Sequence, residues 1–264
     1  MTRAIDGLQL GLASCVATTD AILRALSEAR SRAELAALMD AITNELSFRH
    51  YALIHHDDLR GDPTHRVKLL DYPAAVEDRI IDQGTWRRDP VIRGCIFAQR
   101  AFHWSELPDI IAMDRRDRES FNLGVRAGLN AGITVPYWAL GECMGSCTFA
   151  GTRSPKRAAR HLGMAQMVGI FAFQAARRIL TGSVAVPAPK PRLHPRPRDC
   201  VVLQGRGLSN KEIARALDLS PRTVDGYLRE ARRLFDAHDR NELLVSAVLA
   251  GEVGLEEVKR GQPA

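Results

Sequence analysis

Between residues 31 and 46, apolar residues recur at intervals of three and four, with Leu35, Leu38, Met39, Ile42 and Leu46 on one helical face. Ser31 and Glu34 stand at capping-box spacing, where a hydroxyl and a carboxylate satisfy the first free amides of a helix. The pattern then shortens. Runs of strand length lie near His50–His55, Arg66–Leu70, Ile133–Tyr137 and Met144–Ala150. Ser154-Pro155 opens a long helix reaching about Leu180, with Met164, Met167, Val168, Phe171 and Ala175 expected along its apolar face. Strands flanked by helices predict an α+β domain, an antiparallel sheet with helices on both sides.

A second pattern occupies Ser209 to Phe235. Ser209 and Glu212 form a capping box ahead of Ile213, Ala214 and Leu217. After a short turn, Ser220-Pro221 restarts a helix with a hydroxyl cap and a proline where no amide is needed. Val224, Leu228, Ala231 and Leu234 then carry the helical period. The whole reads as a helix-turn-helix whose second helix exposes Arg222, Thr223, Arg229, Arg232 and Arg233. Such a helix fits the major groove, its N-terminal residues aimed at base edges and its arginines at phosphates or guanine. From the pattern alone, a solvated arginine-rich face is the competing reading.

The two patterns are separated by Gly182 to Pro197, where five prolines interrupt any regular element. With 264 residues, the chain is long enough for two ordinary domains. The predicted boundaries are a sensor-sized domain over 1–181, a proline-rich linker over 182–192 and a second domain over 193–264. Net charge is +6, and residues 181–264 hold 14 Lys and Arg against 11 Asp and Glu. That balance permits a polyanionic partner without singling one out, so the basic residues matter by position.

No apolar run approaches the roughly 18 residues of a membrane span. Leu12-Ala13-Ser14-Cys15 resembles a lipoprotein cleavage site but lacks a preceding apolar core, so Cys15 is expected in or before the first helix and the protein in the cytoplasm. The five cysteines, at 15, 95, 143, 147 and 200, do not form a disulfide framework. Cys143 and Cys147, read on one strand, would stand about 13 Å apart, too far to share a zinc ion, and buried free thiols are expected. His55-His56-Asp57-Asp58 is the sole candidate for a metal or acid–base site. It follows an apolar run and precedes Arg60-Gly61-Asp62-Pro63, which favours a strand end entering a turn. No cofactor, metal or enzymatic activity is expected.

The segment from Leu193 onward resembles the DNA-binding domain of the LuxR family of bacterial transcription regulators. Leu193, Arg196, Gly207, Ser209, Asn210, Glu212, Ile213, Ala214, Leu217, Leu219, Ser220, Thr223 and Val224 stand at the family's spacing without a gap. The resemblance implies an all-α four-helix domain with its last helix over Asn241–Ala250, capped by Asp239 and Glu242 and closed by Gly251. Leu243, Leu244, Ala247 and Val248 would face the core or a dimer partner. Ser209, Asn210, Lys211, Ser220, Arg222, Thr223, Arg229, Arg232 and Arg233 become the DNA-contact candidates. Pro197 replaces a usual glutamate, and Tyr227 a frequent histidine.

Upstream, Tyr72 to Trp104 and Gly128 to Thr148 resemble the autoinducer-binding domain of the same family. That resemblance implies an α-β-α sandwich holding an acyl-homoserine lactone between sheet and helices. Carried over position by position, Asp89 would accept the ligand amide N–H, and Tyr72 would offer its hydroxyl to the acyl carbonyl. Trp104 would pack on the lactone side and Thr148 would add a hydroxyl. From the residues alone, Asp89 before Pro90 is equally a turn residue, and Tyr72 and Trp104 core aromatics. Val76 and Ile80 stand where lactone-binding members carry tryptophan and tyrosine. At i and i+4 they share one wall, and a ligand carbonyl left without its donor there would lose on the order of 1–3 kcal/mol.

The expected function is a homodimeric, ligand-responsive transcription regulator of the quorum-sensing type. Its altered head-group pocket would receive a small-molecule signal, with acyl- and aryl-homoserine lactones as candidates, and its partner would be a double-stranded DNA operator. The alternative is a ligand-independent regulator with a closed or vestigial pocket.

Overall fold

The computed structural model describes residues 16–57, 66–82, 84–139, 143–182 and 191–259. Cys15, the turn at Arg60–Pro63, Asp58, Gly141-Glu142 and most of the 182–192 linker fall outside the described residues. The chain divides into two units near Val184.

In the first unit, helices α1 (16–28) and α2 (Arg32–Glu45) precede β1 (His50–His55) and β2 (Lys68–Leu70). Helix α3 (Ala74–Glu77) continues as a π turn over Asp78–Asp82, then a 3₁₀ turn over Thr85–Arg88 leads into α4 (Pro90–Phe97). Strand β3 (Phe102–His103), helices α5 (Leu107–Ile110) and α6 (Arg115–Arg126), strands β4 (Gly132–Tyr137) and β5 (Gly145–Ala150), and helices α7 (Pro155–Ala158) and α8 (Leu162–Leu180) complete it. The five strands form one antiparallel sheet in the order β2-β1-β5-β4-β3.

Strand alternation sorts the sheet's side chains into two cores. Tyr51, Leu53, Ile133, Val135, Cys147 and Phe149 pack with Met39, Val168 and Phe173 of α2 and α8. Ala52, Ile54 and Phe102 pack on the other side with Val76, Ile92 and Trp104. Helices therefore cover both faces, the expected sandwich. Register sets the second face: Ala52 pairs with Thr148, Thr148 with Thr134, and Thr134 with Phe102. Two threonine hydroxyls are thus brought side by side in an apolar layer.

Three details depart from expectation. The buried stripe of α8 is Ala165, Val168, Ala172, Phe173, Ala175 and Ala176, whereas Met167 and Phe171 are 46% and 36% exposed. Small residues win that face because the helix lies close to the sheet: a Cβ on Gly169 would stand 2.8 Å from Val135. Cys147 is a buried thiol as expected, but Cys143 precedes β5 and is only half-buried. Strand β3, two residues long, was not among the expected strands.

The second unit is helical: α9 (Pro195–Gly205), α10 (Asn210–Leu217), α11 (Pro221–Leu234), α12 (Arg240–Leu249) and the short α13 (Leu255–Val258). Its core joins Cys200, Val201, Ile213, Val224, Leu228, Ala231, Leu243 and Ala247. The caps follow the sequence. The Ser209 hydroxyl accepts the Glu212 amide while the Glu212 carboxylate accepts the Ser209 amide at 2.8 Å. Ser220 accepts the Thr223 amide at 3.0 Å. Asp239 caps α12 through the Asn241 and Glu242 amides, but Glu242 reaches back to the His238 amide rather than to Asp239. Gly251, at φ 79°, terminates that helix.

Among the described residues, no helix is long and apolar enough to cross a membrane, and no group of His, Cys, Asp and Glu is placed to hold a metal ion. His55 ends β1 and His56 begins the bend that follows, as the apolar run before them implied.

Candidate functional site

Tyr72, Val76, Ile80, Asp89, Trp104 and Thr148, gathered from four stretches of the chain, line one cavity on the second face of the sheet. The cavity encloses about 40 Å³, room for roughly three waters. Its floor is β1 and β5, through Ala52, Ile54, Ser146 and Thr148, and Phe121 and Gly124 of α6 contribute to the wall.

Several of its polar groups are held by neighbours. Asp89 is the N-cap of α4: its Oδ1 accepts the Val91 amide at 3.0 Å and the Ile92 amide at 3.2 Å. Burial raises its pKa above the usual carboxylate range, against the pull of those amides and of Arg79. Tyr72 also lines the cavity, and burial raises its pKa as well. Trp104 Nε1 donates to Thr134 Oγ1 at 2.9 Å, and Thr134 Oγ1 lies 3.0 Å from Thr148 Oγ1. Indole and two threonines thus form one relay along the cavity. Trp104 is seated by Gly132, where a Cβ would come within 2.5 Å of the indole, and by the Phe121 ring edge, 5.6 Å between centroids. Ser146, on the floor, sits 2.9 Å from His56 Nε2.

Sequence reasoning missed Arg79 and Ser120. Arg79 Nη1 donates to the Ser120 carbonyl at 3.0 Å and to its hydroxyl at 3.2 Å. Both residues line the cavity and also a second, open groove of about 520 Å³. The one available signal was position: Arg79 adjoins Ile80 in a segment read as a pocket wall, and the π turn brings both neighbours to the cavity.

In the second unit, Ser209, Asn210, Lys211, Ser220, Arg222, Arg229 and Arg233 are exposed, and Thr223 and Arg232 half-buried. Arg222, Gly226, Arg229 and Arg233 follow the i, i+4, i+7, i+11 spacing of one helical stripe, opposite buried Val224, Leu228 and Ala231. Nothing lies within 4 Å of a Cβ built on Gly226. Arg229 is ion-paired with Asp225 on the same helix.

Comparison with known proteins agrees with this architecture. Residues 31–176 match the family model described as autoinducer binding domain, and residues 193–247 match that of bacterial regulatory proteins, luxR family. Transcriptional activator protein BjaR1 of Bradyrhizobium diazoefficiens is 28% identical over 166 residues, covering 61% of this chain and 65% of that protein, just under two thirds of its length. The HTH-type quorum sensing-dependent transcriptional regulator RpaR of Rhodopseudomonas palustris is 30% identical over 173 residues, covering 63% and 67%. The crystal structure of Escherichia coli SdiA superposes with a TM-score of 0.61 at 16% identity, covering 90% of this chain and 98% of that one, a likeness of fold.

Proposed function

This chain belongs to the LuxR family of bacterial regulatory proteins with an autoinducer-binding domain, and from that premise we propose that it is a signal-responsive transcription regulator. Residues 1–181 sense, 182–192 link, and 193–264 read DNA. The signal is a small organic molecule that occupies the cavity beside Tyr72, Val76, Ile80, Asp89, Trp104 and Thr148. Its binding stabilises the sensing domain and a homodimer, and two copies of α11 then enter successive major grooves about 34 Å apart. Arg222, Arg229, Arg232, Arg233 and Lys211 meet the backbone or guanine, with Ser209, Asn210, Ser220 and Thr223 at the entry of the helices.

The observation that carries this reading is the convergence of six separated side chains on one mostly apolar cavity with a few fixed polar groups. In a thermal-shift series with acyl- and aryl-homoserine lactones, one lactone should raise the melting temperature with concentration. Asp89→Asn should abolish that rise. Tight lactone binding that Asp89→Asn leaves unchanged would place the ligand elsewhere.

One observation favours a second reading. With Val76 and Ile80 buried in the cavity wall, only about 40 Å³ stays open, as in a regulator whose pocket is closed. Soluble dimer that binds its operator equally with and without every lactone tested would select it.

A further inference from the structure

Part of the cavity wall is polar rather than apolar. Arg79 and Ser120 line both the cavity and the neighbouring groove, so their hydrogen-bonded pair stands at the boundary of the two, and we treat it as their partition. The groove is strongly cationic. Arg79, Arg87, Arg88, Arg93 and Arg116 line it against two carboxylates, Asp114 and Asp117. Both carboxylates are already engaged. Asp117 is 5% exposed and grips Arg93 Nη1 with both oxygens at 2.7 Å, while Asp114 caps α6 by accepting the Asp117 amide at 2.8 Å. Arg87 lies over the Trp86 ring, 4.9 Å from its centroid. Among the described residues, Arg79, Arg87, Arg88 and Arg116 make no salt bridge within 4 Å, although Arg79 acts on Asp89 and Arg116 on Asp114 at longer range. The partition itself is weak: it holds a guanidinium on a carbonyl and a hydroxyl, acceptors a carboxylate would outcompete.

We propose that the signal is an amphipathic carboxylate, such as an open-chain N-acyl amino acid, whose apolar group enters the cavity while its carboxylate displaces Ser120 from Arg79 and lies in the arginine-lined groove. The proposal rests on the signal-sensing reading above and narrows the class of ligand. It also accounts for Val76 and Ile80. A head group turned outward to a guanidinium has no use for an indole or phenol donor at those positions, and aliphatic side chains there leave the carboxylate no competing partner in the wall. Asp89 still accepts the amide N–H. The guanidinium presents parallel N–H groups that match two carboxylate oxygens, whereas a lactone offers one neutral carbonyl.

The test compares N-octanoyl-homoserine, its lactone and its methyl ester, with the N-benzoyl set in parallel, on the full chain by calorimetry and thermal shift. The carboxylates should bind about tenfold more tightly than lactone or ester, one charge-assisted bond's worth. Arg79→Gln should remove that preference, Arg79→Lys should restore part of it, and all variants should keep the wild-type circular dichroism spectrum. Arg88→Gln, in the groove but not in the cavity lining, should lower carboxylate affinity alone. Lactone binding equal to or tighter than carboxylate overturns the proposal while the signal-sensing reading stands. A carboxylate preference that survives Arg79→Gln and Arg88→Gln also overturns it. Binding of none of the probes, by protein that engages DNA without them, overturns both.

Discussion

Gly226 occupies the middle of α11 and has no packing role. A glycine inside a helix costs about 0.5–1 kcal/mol relative to alanine, through the conformational freedom it gives up on folding. The added methyl of Gly226→Ala would meet nothing within 4 Å, so neither a clash nor a new contact offsets that term. The substitution should therefore stabilise the C-terminal domain by about 0.5–1 kcal/mol, a rise of roughly 2–8 °C in the transition of a domain this small. The same methyl would stand in the stripe of Arg222, Arg229 and Arg233, the face that the proposed reading sets against DNA. Calorimetry on the full chain reads the first effect from the C-terminal transition. Fluorescence anisotropy with a duplex selected from a random library reads the second, expected as a loss of about tenfold in affinity. A lower transition temperature would mean the glycine serves a packing or backbone need that the geometry does not contain. Unchanged DNA affinity would mean that the stripe is not the contact face.

Other outcomes follow from the same geometry. Arg222→Ala or Arg229→Ala should weaken operator binding and flatten its salt dependence while leaving ligand affinity intact; loss of both would indicate misfolding. Because the exposed Arg229–Asp225 pair is worth at most about 1 kcal/mol, Asp225→Asn should release Arg229 and tighten non-specific DNA binding at low salt. Gly132→Ala drives a methyl into the Trp104 indole, and should lower stability by about 1–3 kcal/mol in urea unfolding and shift Trp104 fluorescence. Burial depresses the pKa of His55 and of His56 to about 4, so both are folded as neutral imidazoles. Their contribution is complete above the unfolded value near 6.5 and is lost as pH falls toward 4. The urea midpoint of the sensing domain should drop across that window, and a midpoint flat from pH 7.5 to 4.5 would exclude the effect.

The parts of this molecule legible in sequence are those fixed by neighbours a few residues apart. The capping box at Ser209, the serine caps at Ser31 and Ser220 and the stripe Val224, Leu228 and Ala231 are local, and the helices follow them within a residue or two. Legibility fails where distance or symmetry enters. Met167 and Phe171 are apolar and correctly spaced, yet α8 is apolar on several sides, and the close approach of Gly169 to Val135 decided which side turned inward. Strand β3 is too short for alternation to register. In the cavity, positions 72 to 104 and 148 were found by resemblance, since periodicity gives no hint that Tyr72 and Thr148 line one cavity. Arg79 escaped both routes: no family position marks it, and its partner Ser120 lies 41 residues away on another helix.

The hydroxyl relay beside the cavity has a direction as well as a position. Indole can only donate, so Thr134 Oγ1 must accept at the Trp104 end. The arrangement that wastes no proton then runs from Thr134 to the Thr148 oxygen, which leaves the Thr148 O–H for the cavity it lines. One tryptophan thereby sets the polarity of a hydroxyl two side chains away, and that hydroxyl is a donor to a molecule that brings an acceptor. Trp104→Phe would remove that bias, and the threonine pair could then run either way.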